Sequence, residues 1–155
     1  MQKEELNKIL EEHKTWLESE GKDGVRADLR GADLRSYDFR VDDLWKANLE
    51  KADLRKVCLA SHFLGGNNFK RANLEDAYLN EVYLTGANLT GANLQRANLE
   101  DANLEGADLT EANLFEANLE KANFEGSKFK NTRVCRENLI YLIRQGINKD
   151  DLILK

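Results

Sequence analysis

The 155-residue sequence has no proline, only two cysteines and two histidines, and no long apolar run. Without a proline-rich or Gly/Ser-rich linker no internal boundary is marked, and a chain of this length is expected to form one domain. Two histidines and two cysteines leave little from which to build a metal site or a nucleophile–base pair. Apolar residues are scattered singly, and nothing approaches the roughly 20 needed to cross a bilayer. An excess of basic charge is also missing. The 23 basic and 28 acidic side chains give a net charge of −5. Binders of nucleic acid at large, or of anionic membranes, need a basic surface to displace counterions, and both classes are excluded. The first 20 residues carry Glu4, Glu5, Glu11, Glu12, Glu18 and Glu20, the wrong chemistry for a signal peptide, so a cytoplasmic location is expected.

What the sequence does have is a repeat. Every fifth position from Leu29 to Phe129 gives 21 positions, of which 17 are Leu and the others Phe39, Phe69, Phe124 and Phe129. Two residues earlier Ala fills 14 of the 21, and one residue earlier Asn or Asp fills 16. A period of five fits neither the 3.6 of a helix nor the 2.0 of a strand. It fits a chain that turns a corner in every repeat and always shows the same two side chains, one large and one small, to the inside. Asn and Asp suit the corners because their side chains bond nearby backbone groups.

Corners of about 90° close a coil after four repeats, or 20 residues. Coils stacked about 4.8 Å apart, like neighbouring strands, give a little over five levels and a column on the order of 25 Å tall. No coil can bury its inner face alone, which is the logic of a solenoid. The runs ADL at 27–29 and ANL at 87–89, 92–94, 97–99, 102–104, 112–114 and 117–119 closely resemble the A(D/N)LXX motif of the pentapeptide repeat family. The resemblance implies an all-β fold, a right-handed quadrilateral β-helix, and covers residues 27–131. Helical caps are expected at both ends: 1–24 as an N-terminal capping helix, 25–134 as the β-helix, and 135–155 as a C-terminal helical cap or dimer segment.

At the N-terminus Leu6, Ile9, Leu10, His13, Trp16 and Leu17 follow helical spacing on one face, and Gly21 and Gly24 end the helix. His13 is expected to pack rather than to bind a ligand. Beyond Val134 the repeat stops, and residues 138–145 read as a short helix ending at Gly146. Leu139, Leu142, Ile143, Leu152 and Leu154 form either a cap or a dimer contact, since they offer more apolar surface than one coil needs. Some gyrase-targeting members of the family dimerise through this end, so the chain is a monomer or a C-terminal homodimer.

Function on a monotonous scaffold should show as departures from it. The inward Ala is replaced at Val57, His62, Asn67 and Val82, and the corner Asn/Asp at Cys58, Phe63, Tyr78 and Tyr83. With Trp45 one coil below, Phe63, Tyr78 and Tyr83 form an exposed aromatic edge that is either stacking in place of corner bonds or a patch for a protein partner. Charge is uneven as well. Residues 25–70 carry nine basic and seven acidic side chains, and 71–126 three and eleven. Within the second stretch Glu81, Glu100, Asp101, Glu105, Glu120 and Glu125 fall on two adjacent sides as an acidic ridge. It is either a solvated surface or a DNA-like one, as the resemblance to quinolone-resistance members suggests, although this chain lacks the loop excursions of some of them.

Arg30, Arg35 and Arg40 ring the first coil and are expected to pair with glutamates of the N-terminal helix, contributing about 0–1 kcal/mol each. Gly66, Gly86, Gly106 and Gly126 share a corner column that calls for a positive φ, and Gly65-Gly66 lacks the lysine of a phosphate loop. Cys58 and Cys135 stand about four coils apart, too far for a disulfide. No cofactor, metal or catalytic group is expected. The expectation is a non-enzymatic interaction module with an unidentified protein partner. The alternatives are a DNA-mimicking inhibitor of a type II topoisomerase such as DNA gyrase, and a scaffold with no specific ligand.

Overall fold

A computed structural model describes residues 1–40 and 43–155. Helix α1 spans Lys3–Glu18, and a coiled segment follows that runs to strand β1 at Thr132–Val134. Helix α2 (Arg136–Arg144), one 3-10 turn (Lys149–Asp151) and strand β2 (Leu152–Leu154) complete the chain.

The coil repeats every 20 residues. Parallel bridges join Asn48 to Asn68 to Asn88 to Asp108 on the first side and Asp53 to Asn73 to Asn93 to Asn113 on the second. Cys58, Tyr78, Asn98 and Asn118 are joined on the third side, and Phe63, Tyr83, Asn103 and Asn123 on the fourth. Each regular repeat gives two N–H groups upward, from the Leu and from the residue two beyond it, and one downward. The Leu89 N–H donates to the Asp108 carbonyl at 2.8 Å, and the Asn88 N–H donates to the Asn67 carbonyl at 2.9 Å.

Corners are β-turns closed by bonds such as Ala92 N–H to the Leu89 carbonyl, 2.9 Å. The third turn residue is left-handed, as a type II turn requires. Glycine meets that need at Gly66, Gly86, Gly106 and Gly126, with φ of 64–68°, but Lys51, Arg71, Asp101 and Glu111 adopt φ of 56–61° at equivalent positions. The corner Asn fixes the same turn, since Asn88 Oδ1 accepts the Thr90 N–H at 3.1 Å. All 21 Leu/Phe positions are buried. Burying each such side chain is worth about 1.5–3 kcal/mol, and this sum outweighs any single surface contact.

The first coil is only half attached. Asp28 and Asp33 bridge to Asn48 and Asp53, but among the described residues no bridge ties the third and fourth sides of this coil to Cys58 and Phe63. Two inward polar side chains span the gap instead. Asn67 Nδ2 donates to the Leu44 carbonyl at 2.6 Å, and its Oδ1 accepts the Lys46 N–H at 2.8 Å. The His62 ring lies between the carbonyls of Ala60, 2.9 Å from Nδ1, and Phe39, 3.2 Å from Nε2. Sequence reading marks both residues as departures but not as backbone surrogates.

Over this end lies α1, with Leu6, Leu10 and His13 buried at helical spacing and Glu4 and Glu5 in its first turn, where the helix dipole favours acidic charge. Gly24 (φ 76°) lets the chain pass beneath the helix, because a Cβ there would collide with the Glu12 carbonyl and the Trp16 N–H.

At the other end the 20-residue register outlasts the repeat. Strand β2 pairs with β1 in parallel, with Arg133 opposite Ile153, so the 152–154 cluster is a further strand of the stack and not only an apolar tail. Helix α2 covers the last open turns. Asn138 Nδ2 donates to the Leu114 and Ala117 carbonyls, both at 3.0 Å, and the Tyr141 hydroxyl donates to the Ala122 carbonyl at 3.2 Å.

Replacing Asn67 with Ala strands the part-buried Lys46 N–H and removes one bond of the Leu44 carbonyl. Urea unfolding should show a loss of about 2–3 kcal/mol for Asn67→Ala and under about 1 kcal/mol for Asn68→Ala, whose side chain lies on the outer wall. Equal losses would contradict the bridging role.

Candidate partner-docking surface

The third and fourth sides carry the departures. Tyr78, Phe63 and Tyr83 are 56%, 49% and 46% exposed, and Phe63 stacks on Tyr83 with ring centroids 4.8 Å apart. Exposed Cys58 sits directly below Tyr78 in the ladder. Trp45 separates from this group. Its indole is 39% exposed, lies 4.4 Å from the Lys46 ammonium, and lines a cavity of about 500 Å³ with Leu10, His13 and Leu17 of α1. No ring stacking joins it to Phe63 among the described residues.

The aromatic corners leave donors free. Wherever the corner residue is Asn, its side chain accepts the backbone N–H two residues on, as Asn98 does from Glu100 and Asn103 from Glu105. At Cys58, Tyr78, Phe63 and Tyr83 no such acceptor exists. Among the described residues, the N–H groups of Ala60, Asn80, Gly65 and Thr85 then have no partner within the chain. The corner column next to the rings thus offers two N–H donors on each side of the fourth face, a feature the sequence reading did not extract.

Carboxylates continue the same surface toward the C-terminus. Glu81, Glu100, Asp101 and Glu120 occupy the corner between the third and fourth sides, and Glu105 and Glu125 the corner beyond the fourth. Of these, Asp101 and Glu120 lie 3.9 and 4.0 Å from the Lys121 ammonium, and Glu81 takes a 3.4 Å bond from the Ser61 hydroxyl. Among the described residues Glu100, Glu105 and Glu125 have no cationic partner. The other acidic pair of this half, Glu75 and Asp76, is held by Arg96.

Two expectations are corrected. The arginine ring does not pair with α1. Arg30 binds Asp28 at 2.6 Å, Arg35 binds Asp33 at 2.8 Å, and Arg40 binds Asp43 at 3.1 Å. Asp28 and Asp33 already accept the N–H two residues on, which brings the guanidinium of that residue to the same carboxylate, whereas Asp43 accepts the N–H of Arg40 three residues before it. The Arg35 hydrogen bonds hold the Asp33 carboxyl well below the usual carboxylate range. Leu142 is no dimer contact, because its side chain is wholly buried beneath α2. Leu139 and Leu152 pack partly against the core. The exposed apolar side chains at this end are Ile140, Ile143, Ile153 and Leu154.

The pentapeptide repeat model matches at 68–106 and 92–131, with eight copies. The crystal structure of Rfr23, a pentapeptide repeat protein from the cyanobacterium Cyanothece 51142, is 37% identical over 72% of this chain and 67% of its own, with a TM-score of 0.33. This chain belongs to the pentapeptide repeat family. As a family member it is a right-handed β-helix solenoid. A second pentapeptide repeat protein, alr5209 from Nostoc PCC 7120, is 25% identical over 94% of this chain and 93% of its own, with a TM-score of 0.35. QnrB1, a plasmid-mediated fluoroquinolone resistance protein, is 18% identical over 77% of this chain and 84% of its own, with a TM-score of 0.22. No curated protein matches the chain.

The pentapeptide corner predicts the energetics of the rings. Converting Tyr78 and Tyr83 to Asn loses a stacked pair worth about 0.5–1.5 kcal/mol and restores two turn bonds of similar size. The double variant should unfold within about 1 kcal/mol of wild type by urea titration. A loss above about 2 kcal/mol would make the ring cluster a structural element.

Proposed function

We propose that this pentapeptide repeat protein is a non-enzymatic docking rod. Its third and fourth sides receive a protein segment with an apolar anchor and basic residues beyond it. The carrying observation is the exposure of Phe63, Tyr78 and Tyr83 where the repeat otherwise places Asn. Exposed aromatics in a rigid frame are what interface hot spots use, and the free N–H donors beside them suit carbonyl groups of an extended partner. Carboxylates on the same surface favour a basic partner and would raise its association rate at low salt. Family membership supports an interaction role, because the solenoid column is filled by its own Leu, Phe and Ala side chains and presents outer walls.

Selection of a displayed random peptide library on the wild-type protein, with counter-selection on Phe63→Asn/Tyr78→Asn/Tyr83→Asn, tests this reading. Ring-dependent peptides should pair Trp, Leu or Phe with a run of Lys or Arg. Their affinity should fall at least tenfold on the triple variant and severalfold between 50 and 500 mM salt, by roughly the amounts expected for a hot spot and a screened rim. Recovery of no ring-dependent sequence would defeat the proposal.

The acidic ridge supports a second reading, that of a DNA-like surface which inhibits a type II topoisomerase, in keeping with the resistance role named for QnrB1. Six carboxylates less Lys121, over three levels about 4.8 Å apart, give about one charge per 3 Å of axis. That is near the 3.4 Å of one DNA strand and about half the density of a duplex, so the docking reading stands first. A gyrase supercoiling assay separates the two. The DNA-like reading requires inhibition that disappears when Glu100, Glu105 and Glu125 become Gln, and no effect at a large molar excess removes it.

A further inference from the structure

His13 is buried and bonded on both ring nitrogens to backbone groups from opposite ends of the first coil. The Ala27 N–H donates to Nδ1 at 3.1 Å, and Nε2 lies 2.8 Å from the Trp45 carbonyl. Nδ1 must therefore keep its lone pair, and Nε2 must carry the proton: the ring is neutral and its tautomer fixed. Residues 27 and 45 begin and end the coil whose third and fourth sides show no ladder to the coil above among the described residues. One imidazole thus fastens both ends of the loosest turn of the solenoid to the capping helix.

Geometry points to His13 as an acid-released pin: we propose that protonation of this residue undocks the C-terminal half of α1 and uncovers the end of the column. A proton on Nδ1 faces the Ala27 N–H, donor against donor, and that bond cannot survive. The groups around the ring are Arg26 on the entry strand, Asp43 and Arg40 on the closing corner, and Lys14 and Glu18 on α1. Asp43 favours the charged ring, but its carboxylate is engaged by Arg40, while Arg26 opposes it. Burial outweighs Asp43 and also the Trp45 carbonyl bond, which favours the charged ring more strongly than Asp43 does, and holds the His13 pKa below its ordinary 6.5.

The sign follows. A group that binds protons less well when docked than when released contributes fully above pH 6.5, and its contribution fades as the pH falls below that value. The docking constant should drop by up to tenfold per pH unit there. At the far end of the helix, Leu6 and Leu10 remain buried and Asn7 Oδ1 still accepts the Tyr37 hydroxyl at 2.6 Å. The helix thus pivots rather than dissociates.

Both tryptophans of the chain report on this residue. The Trp16 ring stacks on His13 with centroids 5.7 Å apart, and Trp45 supplies the carbonyl. Tryptophan emission of the full chain, followed from pH 8 to pH 4, should shift to longer wavelength with a midpoint below 6.5 while the far-ultraviolet dichroism of the solenoid stays constant. His13→Gln offers the same acceptor and donor without titrating, and its emission should not change with pH. This holds whether the variant starts docked or already released. Nitrogen-15 spectra of the wild type should show the Nε2–H tautomer of His13 at pH 8. Emission that is flat in the wild type, that titrates unchanged in His13→Gln, or that moves only together with the dichroism would overturn the pin.

Discussion

The whole molecule depends on the coincidence of two periods. A large apolar side chain every five residues sets the corner, and four corners set a 20-residue rise that brings backbone donors opposite backbone acceptors. Neither period suffices alone. The leucines would collapse into a disordered cluster without the ladder, and the ladder has no reason to register at 20 without the leucines. Because both act at every repeat, an error of one residue would misplace all later side chains. This is why the register runs unbroken through Asp33, Asp53, Asn73, Asn93, Asn113, Arg133 and Ile153.

That coupling explains what could be read from sequence. The solenoid, the buried Leu/Phe column and the exposure of Phe63, Tyr78 and Tyr83 follow from position within the repeat, and both helices from the apolar spacing outside it. The fate of the arginines did not, because position specifies which way a guanidinium leaves the wall and not which carboxylate it meets. Strand β2 was legible only as an apolar cluster, since residues 135–151 do not repeat and hide the fact that their length restores the 20-residue register. Leu142 was misassigned for a related reason. A short amphipathic helix at a chain end has an apolar face, and only its packing decides whether that face covers its own column or meets another.

The half-open first coil shows how sequence departures and backbone geometry exchange roles. His62 and Asn67 look like polar intrusions into an apolar core, a cost of several kcal/mol each if left unpaired. They stand where, among the described residues, ladder bonds are missing: Asn67 takes the Lys46 N–H that a ladder bond would have used, and the two side chains bond the corner carbonyls of Leu44 and Phe39. The same residues in the fourth coil would be destabilising, because every backbone N–H there is already paired. At His62 and Asn67 the inward polar side chain thus marks a local failure of stacking.

The corner aromatics are the reverse case. Each gives up a turn bond that Asn makes readily, with a net value of about 0.5–1.5 kcal/mol, and three of the four replacements put a ring into solvent. Nothing in the core asks for this, since Leu59, Leu64, Leu79 and Leu84 beside them are as fully buried as elsewhere. The rings cluster on adjacent sides of consecutive coils and do not scatter around the column. A solenoid cannot easily vary its interior without losing register, so its outer corners are where a specific surface can be written at low cost to the fold. The concentration of rings, free N–H donors and unpaired carboxylates on two of four sides has the form such a surface would take.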